Sequence, residues 1–181
     1  MPRMNKTLYK LVVASVIAAI YAVLTMTLPM ISYGPIQCRI SELLCVLPFF
    51  FPQSAFGLYV GCVIANLMST AGLPDIVFGS LATLFAGLCT ASLGRSYRKT
   101  GEAPGIVRSL AACAMPVLFN APIVGAILSY TVAEYAFWTG FFVYGAQVGA
   151  GEAIVMFALG FPIMRYVLKN ERISGFFERL R

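Results

Sequence analysis

The sequence contains no histidine, and only 11% of its residues are charged. Without an imidazole the chain has no Ser-His or Cys-His catalytic pair, no histidine metal site and no histidine-ligated haem. An ordinary soluble domain is about 25% charged and roughly 45–50% apolar, whereas this chain is 60% hydrophobic. This composition indicates a membrane protein.

The cysteines form neither a metal cluster nor a redox pair. Their spacings are 7, 17, 27 and 24 residues, so no CxxC pattern occurs. We interpret them as small apolar packing residues in helices, and expect no metal and no cofactor. The five are Cys38, Cys45, Cys62, Cys89 and Cys113.

The hydrophobic runs predict a single all-α domain over residues 1–181, an integral membrane bundle of six transmembrane helices. Since each span needs about 20 apolar residues, the chain has no room for a large soluble domain such as a fused ATPase. The second predicted helix is short for a full span, so we expect it to tilt, break or extend into its loop. The predicted helices cover residues 8–28, 39–51, 54–68, 76–93, 106–129 and 138–168.

The basic residues orient this bundle because short cytoplasmic loops collect Lys and Arg. Twelve of the thirteen fall on one face of a six-helix arrangement, and only Arg39 lies at the opposite face, with Asp75 and Glu134. Both termini are therefore predicted to be cytoplasmic, and the net charge of +6 requires no nucleic-acid partner. The twelve are Arg3, Lys6, Lys10, Arg95, Arg98, Lys99, Arg108, Arg165, Lys169, Arg172, Arg179 and Arg181.

Polar side chains interrupt the predicted helices, although a charged group in hydrocarbon costs about 2.5 kcal/mol or more. Separate explanations exist: amides bridge helices, Asp75 caps a helix, Arg39 pairs with Glu42, and a protonated Glu152 is bonded inside the bundle. One polar pocket, open to the outside, explains their common depth better, and it suits a flat molecule with several hydrogen-bond donors. The residues are Arg39, Glu42, Asn66, Asp75, Asn120, Gln147 and Glu152.

The first predicted helix carries a stripe of small residues. Ala14, Ala18 and Ala22 are spaced four apart, so they share one face on which another helix can approach closely. The stripe has two interpretations, an internal packing seam or a docking surface for a second membrane subunit, and both remain open.

The chain has no motor of its own. A phosphate-binding loop of the form G-x-x-x-x-G-K-[ST] is absent, since the only Lys-Thr pair, Lys99-Thr100, lacks the glycine before it. A secondary transporter usually contains two related halves. Residues 1–94 and 95–181 show no convincing internal repeat, so a secondary transporter stays the alternative interpretation. A partner that supplies energy is therefore expected.

With these residues laid out, the chain resembles the S component, the membrane-embedded substrate-binding subunit, of energy-coupling-factor (ECF) transporters. Within that group it is similar to the QueT family, which is specific for queuosine precursors. The resemblance covers almost the whole chain, although Cys38 stands where a larger apolar or aromatic residue is expected. It rests on the alanine-spaced first helix and on residues 34–42 (GPIQCRISE), 72–84 (GLPDIVFGSLATL) and 151–154 (GEAI).

The resemblance implies a non-enzymatic role in a bacterial plasma membrane. The implied ligand is a 7-deazaguanine base or its nucleoside, and the implied partners are a transmembrane coupling subunit and two cytoplasmic ATPase subunits. Ala14, Ala18 and Ala22 match the motif by which such components dock on the coupling subunit. The outer loops at residues 33–35 and 70–72 are then expected to act as gates while the whole subunit topples in the membrane.

A 7-deazaguanine ligand suits the predicted pocket. A guanine-like edge offers an N–H and an amino group side by side, which one carboxylate accepts, and Glu152 is our first choice for it and Glu42 the second. Stacking on the flat ring contributes about 1–3 kcal/mol per base where it has been measured. The predicted amide readers are Asn66, Asn120 and Gln147; the predicted stacking rings are Tyr33, Tyr144 and Trp138; Arg39 and Asp75 complete the lining.

Three alternatives from the sequence remain. The first is a stand-alone ion-coupled carrier for a small polar solute, suggested by the isolated Glu152. The second is an S component for a different vitamin-like ligand. The third, an intramembrane enzyme that uses Glu152 as acid or base, lacks a nucleophile or metal partner in the sequence.

Overall fold

Six apolar helices follow one another along the chain in the order that the sequence predicts. The computed structural model describes residues 6–33, 36–132 and 134–179, and over these ranges it contains no β-strand. Arg3, Gly34, Pro35 and Arg181, which belong to the predicted basic clusters and the first predicted gate, lie outside the described residues. The helices are α1 (Lys6–Thr27), α2 (Ile40–Phe50), α3 (Ser54–Asn66), α4 (Asp75–Leu93), α5 (Ile106–Val132) and α6 (Phe137–Lys169).

Four of these helices, α1, α4, α5 and α6, are long and apolar enough to cross a membrane. The other two are shorter: α3 has 13 residues, which corresponds to about 20 Å, against a hydrocarbon core of about 30 Å. An all-helical membrane bundle is therefore confirmed, while the count of six spans stays a prediction.

Helix α2 is the one whose short length the sequence predicts, and its backbone changes geometry along its course. Residues Ile40–Val46 form a 3-10 helix, and Leu47–Phe50 form a single α-helical turn. That turn carries Phe49 and Phe50, which are almost fully buried. Their rings pack on Tyr97 and Phe177, with 5.1 Å between the Phe50 and Phe177 centroids. The apolar core thus lies at the end of α2 opposite to Arg39.

Small residues let the helices approach closely. On α3, a Cβ added at Gly57 would lie 2.5 Å from the carbonyl oxygen of Ala14, and one at Gly61 would lie 2.7 Å from that of Ala18. On α5, a Cβ added at Gly125 would lie 2.7 Å from the Cα of Gly145 on α6. These contacts hold α1 against α3 and α5 against α6 at distances that only glycine permits.

Two helices contain π-helical turns, which the hydrophobic pattern did not predict. Helix α4 begins with one at Asp75–Gly79, and α6 contains another at Ile154–Gly160. Such widened turns occur frequently at functional sites. Here the first contains Asp75, and the second begins two residues after Glu152.

Besides the single turn Pro29–Ser32 after α1, two amphipathic or polar helices complete the described chain. The short helix Arg95–Thr100 ends at Gly101, whose φ of 75° favours glycine. Helix α7 (Glu171–Arg179) follows α6, and its Phe177 contacts the core through Phe50. Both therefore belong to the end of the bundle that carries the predicted cytoplasmic charges.

Candidate functional site

Arg39 lies at the centre of a buried polar network between α2, α3 and α4. Its guanidinium is 3.5 Å from the carboxylate of Asp75, and both side chains are nearly inaccessible. Nε donates to the carbonyl oxygen of Ser32 at 3.2 Å, and the ring of Tyr33 lies 5.5 Å away. The buried guanidinium therefore has the Asp75 carboxylate as its counter-ion.

Asn66, at the end of α3, joins this network as donor and acceptor. Its Oδ1 accepts from Arg39 Nη1 at 3.2 Å, and its Nδ2 donates to the Asp75 carbonyl oxygen at 2.9 Å. Ser69 donates to Asp75 Oδ2 at 2.6 Å. Most polar groups of Arg39, Asn66 and Asp75 are thus used within the protein, and the network ties the predicted outer ends of three helices together.

Glu152 and Asn120 form a second polar pair, between α6 and α5. Asn120 Nδ2 donates to Glu152 Oε1, and both side chains are buried. Glu152 Oε2 and Asn120 Oδ1 have no hydrogen-bond partner among the described residues. Because a buried polar atom without a partner costs about 1–3 kcal/mol, two such acceptors side by side indicate a place for a ligand's donors.

A narrow crevice connects these two polar groups. The crevice has no space for a water molecule. Its lining includes Gln37, Arg39, Asn120 and Glu152. The backbone of Gln37 closes it from one side, since a Cβ added at Gly151 would lie 2.5 Å from the Gln37 carbonyl oxygen. The loop before α2 therefore lies directly against the Glu152 turn of α6.

An open cavity of about 310 Å³ lies on the other side of Gln37. Its size falls within the range of small-molecule sites. Tyr144 donates a hydrogen bond to Glu134 at 3.1 Å, and the Tyr135 ring lies 6.0 Å from the Tyr144 ring. Gln147 presents a buried Oε1 without a partner. Among the polar and aromatic lining residues are Tyr33, Gln37, Glu134, Tyr135, Tyr144 and Gln147.

Most of the predicted site residues thus line either the crevice or the cavity, which lie on opposite sides of Gln37. Arg39, Asn120 and Glu152 line the crevice, while Tyr33, Tyr144 and Gln147 line the cavity. Asn66 and Asp75 support Arg39 from behind. Their role in binding a ligand stays a prediction.

Glu42 and Trp138 lie elsewhere. Glu42 is fully buried. Its carboxylate accepts a hydrogen bond from the Tyr21 hydroxyl and another from the Cys45 thiol, the latter at 3.0 Å. Trp138 is 69% exposed and packs against Phe137 and Phe141. Of the two predicted carboxylates, Glu152 is therefore the one that faces the crevice.

The alanine stripe of α1 faces the inside of the bundle over much of its length. Ala18 and Ala22 are each 5% exposed, and Ala14 and Ala18 contact the glycines of α3. This arrangement favours the packing-seam interpretation. The exposed side of α1 carries a second small pair at the same spacing, Ser15 and Ala19.

Sequence reasoning did not assign roles to Gln37, Gly151 or Glu134. Gln37 and Gly151 both lie inside the stretches that carry the family resemblance, which was the available signal for them. Glu134 is an acidic residue at the predicted outer face with no basic neighbour in sequence. This isolation was the available signal for Glu134.

An all-helical membrane bundle with a polar cavity, and with unpaired buried acceptors in a neighbouring crevice, has the features of a membrane protein that binds a small polar solute. A family model described as QueT transporter matches residues 11–169, and the chain belongs to this transporter family. It is also similar to the queuosine precursor transporter QueT of Lactococcus lactis subsp. cremoris (strain MG1363), with 42% identity over 78 residues.

That alignment covers 42% of this chain and 46% of the Lactococcus protein, so it spans less than half of each. No solved structure matches the chain.

Proposed function

We propose that this protein is the substrate-binding membrane subunit of an ECF importer in a bacterial plasma membrane. It captures a queuosine precursor, a 7-deazaguanine base or its nucleoside, from the outside and delivers it inward. Family membership supports a transporter role, and the printed name of the Lactococcus relative supports the substrate. The single observation that carries the proposal is the pair of unpaired buried acceptors, Glu152 Oε2 and Asn120 Oδ1.

The chemistry of the ligand fits those two atoms. The pyrimidine edge of a 7-deazaguanine carries a ring N–H and an exocyclic amino group, which together donate two parallel hydrogen bonds. Glu152 Oε2 accepts one or both, and Asn120 Oδ1 accepts a further N–H. A charge-assisted bond to a buried carboxylate is about twice as strong as a neutral one, so Glu152 contributes most of the recognition.

The cavity and its loops provide the entry path. The base passes the open cavity beside Tyr33 and Tyr144 and displaces Gln37 from the crevice to reach Glu152. Tyr33 stacks on the bound ring from its position against Arg39. The loops at residues 33–35 and 70–72 act as gates in this scheme.

The same proposal includes six spans with both termini in the cytoplasm. In this arrangement α2 runs from Arg39 near the outer face to Phe49 and Phe50 near the cytoplasmic face, and α3 returns from Ser54 to Asn66 at the outer face. The basic residues that flank α1, α4, α5 and α6 support this orientation by the positive-inside rule.

Transport requires partners, because the sequence has no phosphate-binding loop. A transmembrane coupling subunit and two cytoplasmic ATPase subunits supply the energy. Since Ala18 and Ala22 are buried in the bundle, the contact with the coupling subunit uses the exposed side of α1 at Ser15 and Ala19.

The proposed function is tested with the purified full-length chain. Mass spectrometry of co-purifying small molecules should find a 7-deazaguanine, and titration should show sub-micromolar binding. A co-purifying lipid or unrelated vitamin, together with no binding of any 7-deazaguanine, would contradict the proposal and favour an S component for another ligand.

An ion-coupled carrier is the second candidate, and the buried Glu152 without a basic partner on α6 favours it. It predicts uptake into liposomes that contain this chain alone under a proton gradient. The ECF proposal predicts ligand binding but no uptake in the same liposomes, so one preparation distinguishes the two.

A further inference from the structure

The space around the cavity and crevice contains more negative than positive charge. Among the described residues that line it, Glu134 and Glu152 are acidic and Arg39 is the only basic one. Arg39 is already paired with Asp75 at 3.5 Å. The neighbouring residues that the structure does not describe, at positions 34, 35 and 133, are glycine, proline and alanine in the sequence. The charge that remains is therefore negative.

Apart from Arg39 Nη2, which lies 3.5 Å from Asp75 in the ion pair, the unpaired polar atoms of the described residues that line this space are acceptors. They are Glu152 Oε2 and Asn120 Oδ1 in the crevice and Gln147 Oε1 beside the cavity. The bond from Asn120 Nδ2 to Glu152 fixes which way that amide faces. A ligand that satisfies these atoms must bring donors at both its ends.

At the outer end, Glu134 has the surroundings of an ammonium site. Its carboxylate is exposed and accepts from the Tyr144 hydroxyl, and the Tyr135 and Tyr144 rings lie side by side. A carboxylate next to aromatic faces binds an alkylammonium through ion pairing and cation–π attraction. None of the described residues that line this cavity is basic, so none of them neutralises Glu134.

The two ends are separated by a distance that one ligand spans. Tyr144 and Glu152 are eight residues apart on α6, which corresponds to about 12 Å along the helix axis. A flat bicyclic base with a short amine-bearing arm, together with a hydrogen bond at each end, covers this separation. The base edge then faces Glu152 and the arm faces Glu134.

We propose that this site selects queuosine precursors whose side arm at C7 carries a protonated amine over the precursor with a neutral nitrile there, and that Glu134 is the residue that distinguishes them. An alkylamine of this kind resembles the Lys side chain, whose pKa is about 10.4, so it is charged at neutral pH. The inference rests on the proposed function, since it assumes that a 7-deazaguanine occupies the site.

The test uses the full-length protein in detergent or nanodiscs and two probes, 7-aminomethyl-7-deazaguanine and 7-cyano-7-deazaguanine. Calorimetric titration at pH 7.5 should give at least tenfold tighter binding of the aminomethyl probe. Glu134→Gln should weaken the aminomethyl probe at least fivefold and leave the cyano probe within twofold. Because Glu134 is exposed, the variant is expected to fold, and Glu102→Gln, an equal charge change in the loop before α5, is the matched control.

Ionic strength gives a second measurement. Since Glu134 is exposed, added salt should screen it and reduce the preference for the aminomethyl probe, with little effect on the cyano probe. Equal binding of the two probes, tighter binding of the cyano probe, or equal weakening of both by Glu134→Gln would overturn the inference while leaving the proposed function intact. Binding of neither probe would contradict the proposed function and this inference together.

Discussion

Glu152 on α6 accepts a hydrogen bond from Asn120 on α5 through Oε1, while its Oε2 faces the crevice without a donor. The bond fixes the direction of the carboxylate, and the free oxygen keeps its capacity to accept. In the Arg39–Asp75 pair, Asp75 Oδ1 and Arg39 Nη2 also lack a hydrogen bond, but there the two opposite charges lie 3.5 Å apart and compensate each other. Glu152 and Asn120 have no such opposite charge between them, so we propose this pair as the one that binds the ligand.

The ion pair of Arg39 and Asp75 should be essential for stability. Arg39→Met leaves the buried Asp75 carboxylate without its partner, and such a loss typically costs about 3–5 kcal/mol. We expect a clear fall in the thermal unfolding temperature of the purified protein. The double variant Arg39→Met/Asp75→Asn removes both charges and should recover part of this loss. A double variant less stable than Arg39→Met would show that the two residues do not act as a pair.

The close contact of Gly151 with Gln37 should control access to the crevice. In Gly151→Ala the new Cβ meets the Gln37 backbone at 2.5 Å, so the loop before α2 must move away from α6. Because this loop carries Gln37 and leads into Arg39, which both line the crevice, its displacement should distort the site and weaken binding of a 7-deazaguanine at least tenfold, measured by titration. Gly149→Ala is the control on the same helix, because its Cβ would meet the Ala121 side chain at 3.2 Å and no backbone. Equal affinities of the two variants would disprove the role of this contact.

Two neighbouring alanines of α1 should behave differently. Ala18 is buried against α3, so Ala18→Leu overpacks the bundle and should destabilise it by about 1–3 kcal/mol. Ala19 is exposed, so Ala19→Leu should leave unfolding temperature and ligand binding unchanged but reduce co-purification with the coupling subunit. Normal co-purification of Ala19→Leu would move the docking surface away from this side of α1.

The proposed orientation is tested by cysteine labelling in a variant without the five native cysteines. Thr70→Cys lies in the predicted outer loop and Glu102→Cys in the predicted cytoplasmic loop, and both positions are exposed. A membrane-impermeant maleimide should label Thr70→Cys in intact cells, and Glu102→Cys only after lysis. The reverse pattern would invert the topology, and labelling of both in intact cells would refute the six-span count.

The helices were predictable because each one is a hydrophobic run, and the prolines and charged residues that separate the runs can be located in the sequence alone. The order of α1 to α6 follows from these runs, with ends that differ by a few residues. The 3-10 geometry of Ile40–Val46 and the π turn of Ile154–Gly160 were not predictable, since they result from packing against neighbouring helices.

The site was predictable in its residues but not in its arrangement. Depth along each helix follows from position, and on that basis Asn120 and Glu152 were expected at a similar level. Rotation about the helix axis does not follow from position, which is why Trp138 was expected in the site although it lies outside. The same uncertainty left the alanine stripe with two interpretations. Gln37 was missed because its role depends on a loop crossing Gly151, a contact distant in sequence.

The most direct measurement is the affinity of the Glu152→Gln variant for a 7-deazaguanine, compared with the unchanged protein and with Glu102→Gln. Glutamine keeps the shape of the side chain but replaces one acceptor with a donor that faces the ligand's own N–H groups. We predict at least tenfold weaker binding, equivalent to about 1.4 kcal/mol or more, for Glu152→Gln and an unchanged affinity for Glu102→Gln. Unchanged affinity in Glu152→Gln would contradict the claim that this buried carboxylate reads the ligand.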